Sequence, residues 1–335
     1  MSATGDLLIV PAADVAGILE GEEAAVMAIV AAAYAMHGGG ESVVPHSSFL
    51  RFPGGRNRAI ALPAYLGGPA GVAGLKWIAS FPENVEHGLA RASGLVVLNS
   101  PATGRPYAVV EGALVSARRT AASAALAARA LHADAPPARV GFLGCGAVNF
   151  ETLRFLLAVW PDIGQVRLAD LSAARAAAFA ARARARFPRV ACAIARDWRT
   201  LLAECPLVSI ATTATTPYVD ALPTDTVRTV LHLSLRDLAP EVVLGADNVV
   251  DDADHVCREE TSLHLAERAT RGRAFIRCTL AEVLAGRAAP KRPRDPCTIF
   301  SPFGLGILDI ALANFVWERA AACGKGTRLP FATPA

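Results

Sequence analysis

Apolar residues recur along this chain in two rhythms. Residues 21–37 (GEEAAVMAIVAAAYAMH) combine strong helix formers with acidic residues in the first turn, and Gly38-Gly39-Gly40 follows, so the segment predicts a helix. From 43 to 110 the texture changes. Short β-rich runs at 48–52, 59–62, 72–78, 95–98 and 107–110 alternate with Gly, Pro and Asn, which predicts a mixed or antiparallel sheet. A helix is expected over 116–131, followed by a linker at 134–137 (Asp-Ala-Pro-Pro). Beyond it, apolar strands at 139–143, 166–169, 190–194, 207–211, 229–233 and 248–250 are interleaved with helical stretches, notably up to 159 and over 171–187. That alternation predicts a parallel, doubly wound sheet. The Arg/Pro-rich stretch 287–296 reads as a loop, and a last helix is expected over 305–322.

Composition narrows the class. The chain has 335 residues, with 33 Lys+Arg against 30 Asp+Glu and a net charge of +3, so it lacks the cationic field that sequence-independent nucleic-acid binding needs. Hydrophobic residues make up 53% and mean hydropathy is +0.36. The excess comes largely from Ala, in 121–130 (AASAALAARA) and 173–186 (AARAAAFAARARAR), stretches that also carry Arg. No apolar run reaches the roughly 18–20 residues of a membrane span. The first residues (MSATGDLLIVPAAD) lack the basic start and apolar core of a signal peptide. The seven cysteines are scattered with no C-x-x-C, so neither a disulfide framework nor a metal site is expected, and a cytoplasmic protein is the simplest reading.

The clearest chemical motif is Gly144-Cys145-Gly146, after a predicted strand and before a predicted helix. Such a turn lets backbone amides approach a pyrophosphate at a helix N-terminus. Asn149 stands where the third glycine of G-x-G-x-x-G would be. Asp170, at the tip of the next strand, is placed to bind both ribose hydroxyls. Its carboxylate would repel a 2′-phosphate, so NAD is expected over NADP. The bland alternatives are a tight turn and a helix N-cap.

Several segments then agree with one family. GLKWIASFP (74–82), TGRPYAVVEG (103–112), SARRTAASAA (116–125), GCGAVN (144–149) and SPFGLGILD (301–309) resemble the ornithine cyclodeaminase/μ-crystallin superfamily, in order and over nearly the whole chain. FPENVEHGLARAS (81–93), HLSLRDL (232–238) and IFSPFGLGILD resemble its siderophore-pathway branch. The resemblance implies an α/β fold: a Rossmann doubly wound parallel sheet over 131–304, plus an α+β substrate and dimerisation domain from 1–130 with 305–335. It implies a homodimer with active sites between the domains.

The resemblance also implies site residues. Lys76, after Gly-Leu at the end of a strand, would face the substrate and assist catalysis. Arg119, directly before Thr-Ala-Ala, and Arg51, on an earlier strand, would bind carboxylate. Asp237 would be the catalytic acid/base. Gly144, Gly146, Ala147, Val148, Asn149, Asp170, Thr212, Thr213 and Ser301 would line the cofactor, with Thr212 and Thr213 on the nicotinamide side. Arg91 and Arg236 are further substrate counter-charges. Read without the family, Arg51 and Arg119 are surface or ion-pair residues, Asp237 shapes a turn, His232 is a core or supporting histidine and Cys145 a small filler. Lys76 resists the bland reading, because a lysine in GLKWI is costly to bury without an anionic partner.

The chain departs from ornithine cyclodeaminases around Asp237. Their Gly-Gly-Asp-Cys-Pro-Gly-Lys-Thr-Glu type segment is here Leu233-Ser234-Leu235-Arg236-Asp237-Leu238-Ala239-Pro240, without the Lys and Glu. The implied activity is therefore NAD-dependent oxidative cleavage of N-(2-amino-2-carboxyethyl)-L-glutamate, an anionic amino acid, to 2,3-diaminopropionate and 2-oxoglutarate. The alternatives are another amino-acid dehydrogenase, a ketimine reductase, an ornithine cyclodeaminase, or a non-enzymatic binding protein.

Overall fold

The computed structural model describes residues 6–54, 57–68, 71–132, 136–292 and 297–331. Asp134 and Ala135 of the expected linker, and 293–296 of the Arg/Pro-rich stretch, lie outside these. The chain forms two compact units, Met1–Arg119 with Leu305–Ala335, and Thr120–Gly304. The first crossing falls inside a helix, at Arg119/Thr120, and not after it.

The first unit runs β1 (Asp6–Val10), α1 (Ala12–Ile18), α2 (Glu23–Gly38), β2 (Ser42–Val43), β3 (Ser48–Arg51), β4 (Arg58–Leu66), β5 (Val72–Ser80), a 3₁₀ turn (Pro82–His87), β6 (Ala92–Asn99), β7 (Pro106–Glu111) and the start of α3 (Gly112–Leu131). The second holds β8 (Arg139–Leu143), α4 (Ala147–Val159), β9 (Gln165–Ala169), α5 (Ala173–Arg186), β10 (Ala191–Ile194), α6 (Trp198–Glu204), β11 (Leu207–Ile210), β12 (Thr229–His232), α7 (Pro240–Leu244), β13 (Asp247–Val250), α8 (Ala253–Val256), α9 (Ser262–Thr270), β14 (Ile276–Thr279), α10 (Leu280–Leu284) and β15 (Thr298–Ser301). The chain then returns to the first unit with α11 (Gly306–Ala322) and β16 (Thr327–Pro330).

The first unit's sheet has the order β16-β1-β7-β6-β5-β4-β2, with β3 also on β4. Its pairings are antiparallel except β1 with β7. Side chains alternate between its faces. On β5 the even positions turn toward α11, which packs on β4, β5 and β6. Ile307, Leu308, Ile310, Leu312 and Val316 of α11 are fully buried. This helix is apolar nearly all round because α2 packs on it as well. The odd positions of β5 face the other way. There Trp77 lies directly across from Leu95 of β6, and both stay exposed, at 40% and 47%.

The second unit is a Rossmann-type sheet of eight parallel strands in the order β10-β9-β8-β11-β12-β15-β13-β14. The chain leaves β8 for β9 and β10 on one side, then crosses to β11 on the other. The carboxyl ends of β8 and β11 therefore flank the topological switch point, where such sheets bind ligands. Central strands such as β11, β12, β13 and β15 are buried at every residue, as two-sided coverage requires. Strand β15, which the pattern of the sequence did not signal, fills the gap between β12 and β13.

Candidate active site

In the first unit, the β5–β6 and β4–β5 registers set Lys76 between Val96 and Leu62, mid-strand and not at a strand end as expected. Its face of the pleat turns it inward, and it is 2% exposed. Lys76 Nζ donates to Ser116 Oγ at 3.1 Å and lies 2.7 Å from Asp309 Oδ2. Arg119 Nε donates to the other oxygen of Asp309 at 3.0 Å. Ser116 and Arg119 share a face of α3, three residues apart. Lys76, Arg119 and Asp309 thus form a buried set of two cations on one carboxylate. Burial, with the nearby Arg119 charge, lowers the Lys76 pKa to about 8 against the pull of Asp309. An ammonium with so labile a proton can both attract a carboxylate and donate in a reaction.

The other expected counter-charges are placed differently. Arg51 is exposed at the end of β3, its guanidinium 5.3 Å from the Phe49 ring centroid. Arg91 is half-buried and donates to Ser80 Oγ at 2.8 Å. The groups that meet at Asp309 are Lys76 and Arg119. Arg236, in the second unit, spends a guanidinium N–H on the backbone carbonyl of Glu259, in a left-handed pair of residues, Glu259 and Glu260.

In the second unit, the glycine turn closes the top of β8. Gly144 has φ +91°, and a Cβ there would run into the carbonyl oxygen of Ala211, so no other residue fits without strain. Asn149 holds this turn from below. Its amide reaches the carbonyls of Leu143 (3.0 Å) and Gly144 (2.7 Å), and its oxygen accepts from Ser209 at 2.7 Å. Asn149 is fully buried and shapes the cradle with its side chain. Gly146 is the N-cap of α4 with no side-chain cap, while Ala147 is exposed and Val148 half-buried, so the first amides of the helix are left for an anion.

Asp170 follows β9. Its Oδ2 accepts from Cys145 N at 2.7 Å and its Oδ1 from Ser172 N at 2.9 Å. The N-cap of α5 is Ser172, which leaves Asp170 lone pairs for hydroxyls. Cys145 has its thiol pushed up to about 12, chiefly by burial, and is no nucleophile.

Next along the sheet, the ends of β11, β12 and β15 bring Thr212, His232 and Ser301 side by side. Asp237, 1% exposed, is the centre of their network. It accepts from the hydroxyls of Thr212, Ser234 (2.5 Å) and Tyr218 (3.2 Å), and His232 Nε2 lies 3.3 Å from its Oδ2. The other nitrogen of His232 is 3.0 Å from Ser301 Oγ. Burial pushes the Asp237 pKa up, but the bonds from His232, Ser234 and Thr212 outweigh it and hold the carboxyl below its ordinary range. Burial, then the Asp237 charge, pushes the Tyr218 phenol up, so it stays a donor. The arrangement is a fixed, ionised carboxylate wrapped in proton-bearing groups. Thr213 is exposed in the loop after β11.

Sequence reasoning missed Asp309, Tyr218 and Ser234. Asp309 lay in a quoted motif, and its one signal was an acid among the apolar residues that open α11. It also missed Asp251, a buried carboxylate that accepts from the amides of Phe303 (3.0 Å) and Gly304 (2.6 Å) and so pins the turn that follows Ser301.

Residues 13–324 match the ornithine cyclodeaminase/mu-crystallin family. Among individual proteins, the chain is 28% identical over 281 residues to the N-((2S)-2-amino-2-carboxyethyl)-L-glutamate dehydrogenase of Staphylococcus aureus, covering 82% of each. It is 29% identical to the alanine dehydrogenase of Archaeoglobus fulgidus, over 97% of this chain and 99% of that one. An archaeal alanine dehydrogenase dimer solved with bound NAD superposes with a TM-score of 0.85, at 28% identity, covering 98% of this chain and all (100%) of the other.

Proposed function

The chain belongs to the ornithine cyclodeaminase/mu-crystallin family, and from that premise we propose that it is an NAD-dependent dehydrogenase that oxidises the C–N bond of N-(2-amino-2-carboxyethyl)-L-glutamate. With water and NAD⁺, the products are L-2,3-diaminopropionate, 2-oxoglutarate, NADH and a proton. The observation that carries the reading is the buried trio of Lys76, Arg119 and Asp309, in which two cations converge on one carboxylate. A buried lysine and arginine side by side suit a carboxylate guest. The likeness to the staphylococcal enzyme supports this substrate. So does the Asp237 segment, which lacks the Lys and Glu of the cyclodeaminases.

Bound NAD⁺ supplies the hydride acceptor. The glycine turn, the open amides of α4 and the carboxylate of Asp170 fit its diphosphate and ribose. Arg119 and Lys76 hold a substrate carboxylate, Arg119 through a planar fork whose Nε is already fixed by Asp309. Lys76 also polarises the oxidised carbon–nitrogen bond as water adds. Asp237 stays ionised and orients its hydroxyl and imidazole donors; proton transfer passes along His232, Ser234, Thr212 or Tyr218.

Two copies form the working enzyme, joined through the uncovered apolar sheet face that carries Trp77 and Leu95. No helix among the described residues is long and apolar enough to cross a membrane.

The test is NADH formation by the purified protein with NAD⁺ and N-(2-amino-2-carboxyethyl)-L-glutamate, beside alanine, ornithine and glutamate. Turnover of the first, with 2-oxoglutarate and diaminopropionate formed, supports the proposal. Turnover of alanine in its place favours the second reading, an alanine dehydrogenase, which near end-to-end likeness to the Archaeoglobus enzyme supports.

A further inference from the structure

Arg175 stands beside the glycine turn without a firm partner. It lies in the first turn of α5, and its side chain is 39% exposed. Its Nε is 3.8 Å from Asp170 Oδ2, beyond hydrogen-bond reach, and that is its one ion pair among the described residues. Its Nη2 lies 3.6 Å from where a Cβ on Gly146 would be. The guanidinium therefore spans from the acid that faces a ribose to the bare backbone that admits a diphosphate. Asp170 does not depend on it, since the amides of Cys145 and Ser172 already fix both carboxylate oxygens.

This placement has a consequence for binding. An arginine this close to Gly146 cannot ignore an anion on the helix N-terminus. It either meets that anion or is displaced by it, and opposite charge favours the meeting. A ribose diol arriving at Asp170 would at the same time take over the oxygen that Arg175 now faces.

We propose that Arg175 is a diphosphate-binding residue, which exchanges its loose contact with Asp170 for the cofactor's diphosphate when the ribose hydroxyls engage that acid. The inference rests on the dinucleotide reading of this turn and adds to it a side-chain ligand that no glycine motif signals. A 2′-phosphate is the other anion within reach of an arginine here, and the Asp170 carboxylate repels it.

The experiment measures binding to the full chain, without turnover. ADP-ribose, adenosine and adenosine 2′,5′-bisphosphate are each titrated as competitors of NADH fluorescence, against wild type, Arg175→Gln, Arg175→Lys and Asp170→Asn. Arg175→Gln is expected to weaken ADP-ribose about ten-fold, the loss of one charge-assisted hydrogen bond, and to leave adenosine unchanged. Arg175→Lys should recover part of the loss. Added salt should weaken ADP-ribose more in wild type than in Arg175→Gln. Asp170→Asn should weaken adenosine and ADP-ribose alike. Equal ADP-ribose affinity in wild type and Arg175→Gln would overturn the proposal, as would a loss confined to the 2′,5′-bisphosphate or shared equally by adenosine. If wild type binds neither NADH nor ADP-ribose, the dinucleotide reading itself falls, an outcome distinct from all of these.

Discussion

Lys76 Nζ lies 2.7 Å from Asp309 Oδ2, with both side chains sealed from water at 3% and 0% exposure. A strand and the helix packed on it thereby share one buried ion pair, and Arg119 joins it from α3. Asp309 is the group that makes a lysine and an arginine tolerable in the same apolar interior.

That relationship sets the pH response of Lys76. Its pKa of about 8 is below the 10.5 of a free lysine, so between these values the unfolded chain holds a proton that the folded chain has released. Stability contributed at this site therefore rises with pH from 8 to 10.5, and below 8 the full penalty of a charged, buried lysine applies. Urea unfolding of wild type and Lys76→Met across this window should show wild type gaining on the variant as pH rises. A flat difference would contradict the assignment.

Asp309→Asn removes the contact that raises the Lys76 pKa while leaving burial and Arg119 in place. The alkaline limb of the activity profile, where Lys76 loses its proton, should move to lower pH. KM for a carboxylate substrate should also rise, because Arg119 loses its anchor. An unmoved limb with a merely lower melting temperature would reduce Asp309 to a structural role.

Asp237 titrates below the ordinary carboxylate range because its donors outweigh burial. A depressed acid stabilises the fold above its unfolded pKa and loses that contribution as pH falls through the folded value. Ser234→Ala deletes one of those donors, so the acidic limb of kcat should shift upward. Asp237→Asn should lose turnover by orders of magnitude while NADH binding, followed by fluorescence, persists. Loss of both together would make Asp237 a folding residue.

Asn149→Ala leaves the carbonyls of Leu143 and Gly144 and the hydroxyl of Ser209 without their partner inside the core. The expected cost is about 3 kcal/mol, read as a lower urea midpoint, together with weaker NADH binding as the glycine turn loosens. Asn149→Asp at neutral pH should be worse, since a carboxylate cannot donate to either carbonyl.

Trp77 and Leu95 face each other across β5 and β6 on the open side of their sheet. Trp77→Asp should convert the proposed dimer to monomer, seen by light scattering after gel filtration. A monomeric wild type would remove the dimer from the proposal.

Much of the architecture was legible along the chain. Strands at 139–143, 166–169 and 207–211 show themselves as short, mostly apolar runs because a parallel sheet covered on both faces buries most of their residues. Gly144 and Asp170 were legible for a local reason: a turn that needs positive φ leaves a glycine in the sequence, and the tip of a strand leaves an acid at its end. The short β15 was not legible, since Ile299 and Phe300 between two hydroxyl residues carry too little periodicity to separate strand from loop.

The side-chain partnerships were decided only in three dimensions. Lys76 and Asp309 meet because a strand and the last long helix pack together, and nothing local to either segment announces it. Arg51 and Arg119 looked alike as candidates, yet one ends an exposed strand and the other reaches a buried carboxylate. Thr212, Tyr218, His232 and Ser234 surround Asp237 because parallel strands end at the same edge of the sheet. Hydrophobic rhythm reports which face of an element is covered, a property of neighbouring residues. Which polar groups then find one another depends on register and packing between distant segments, and that is settled only when the chain has folded.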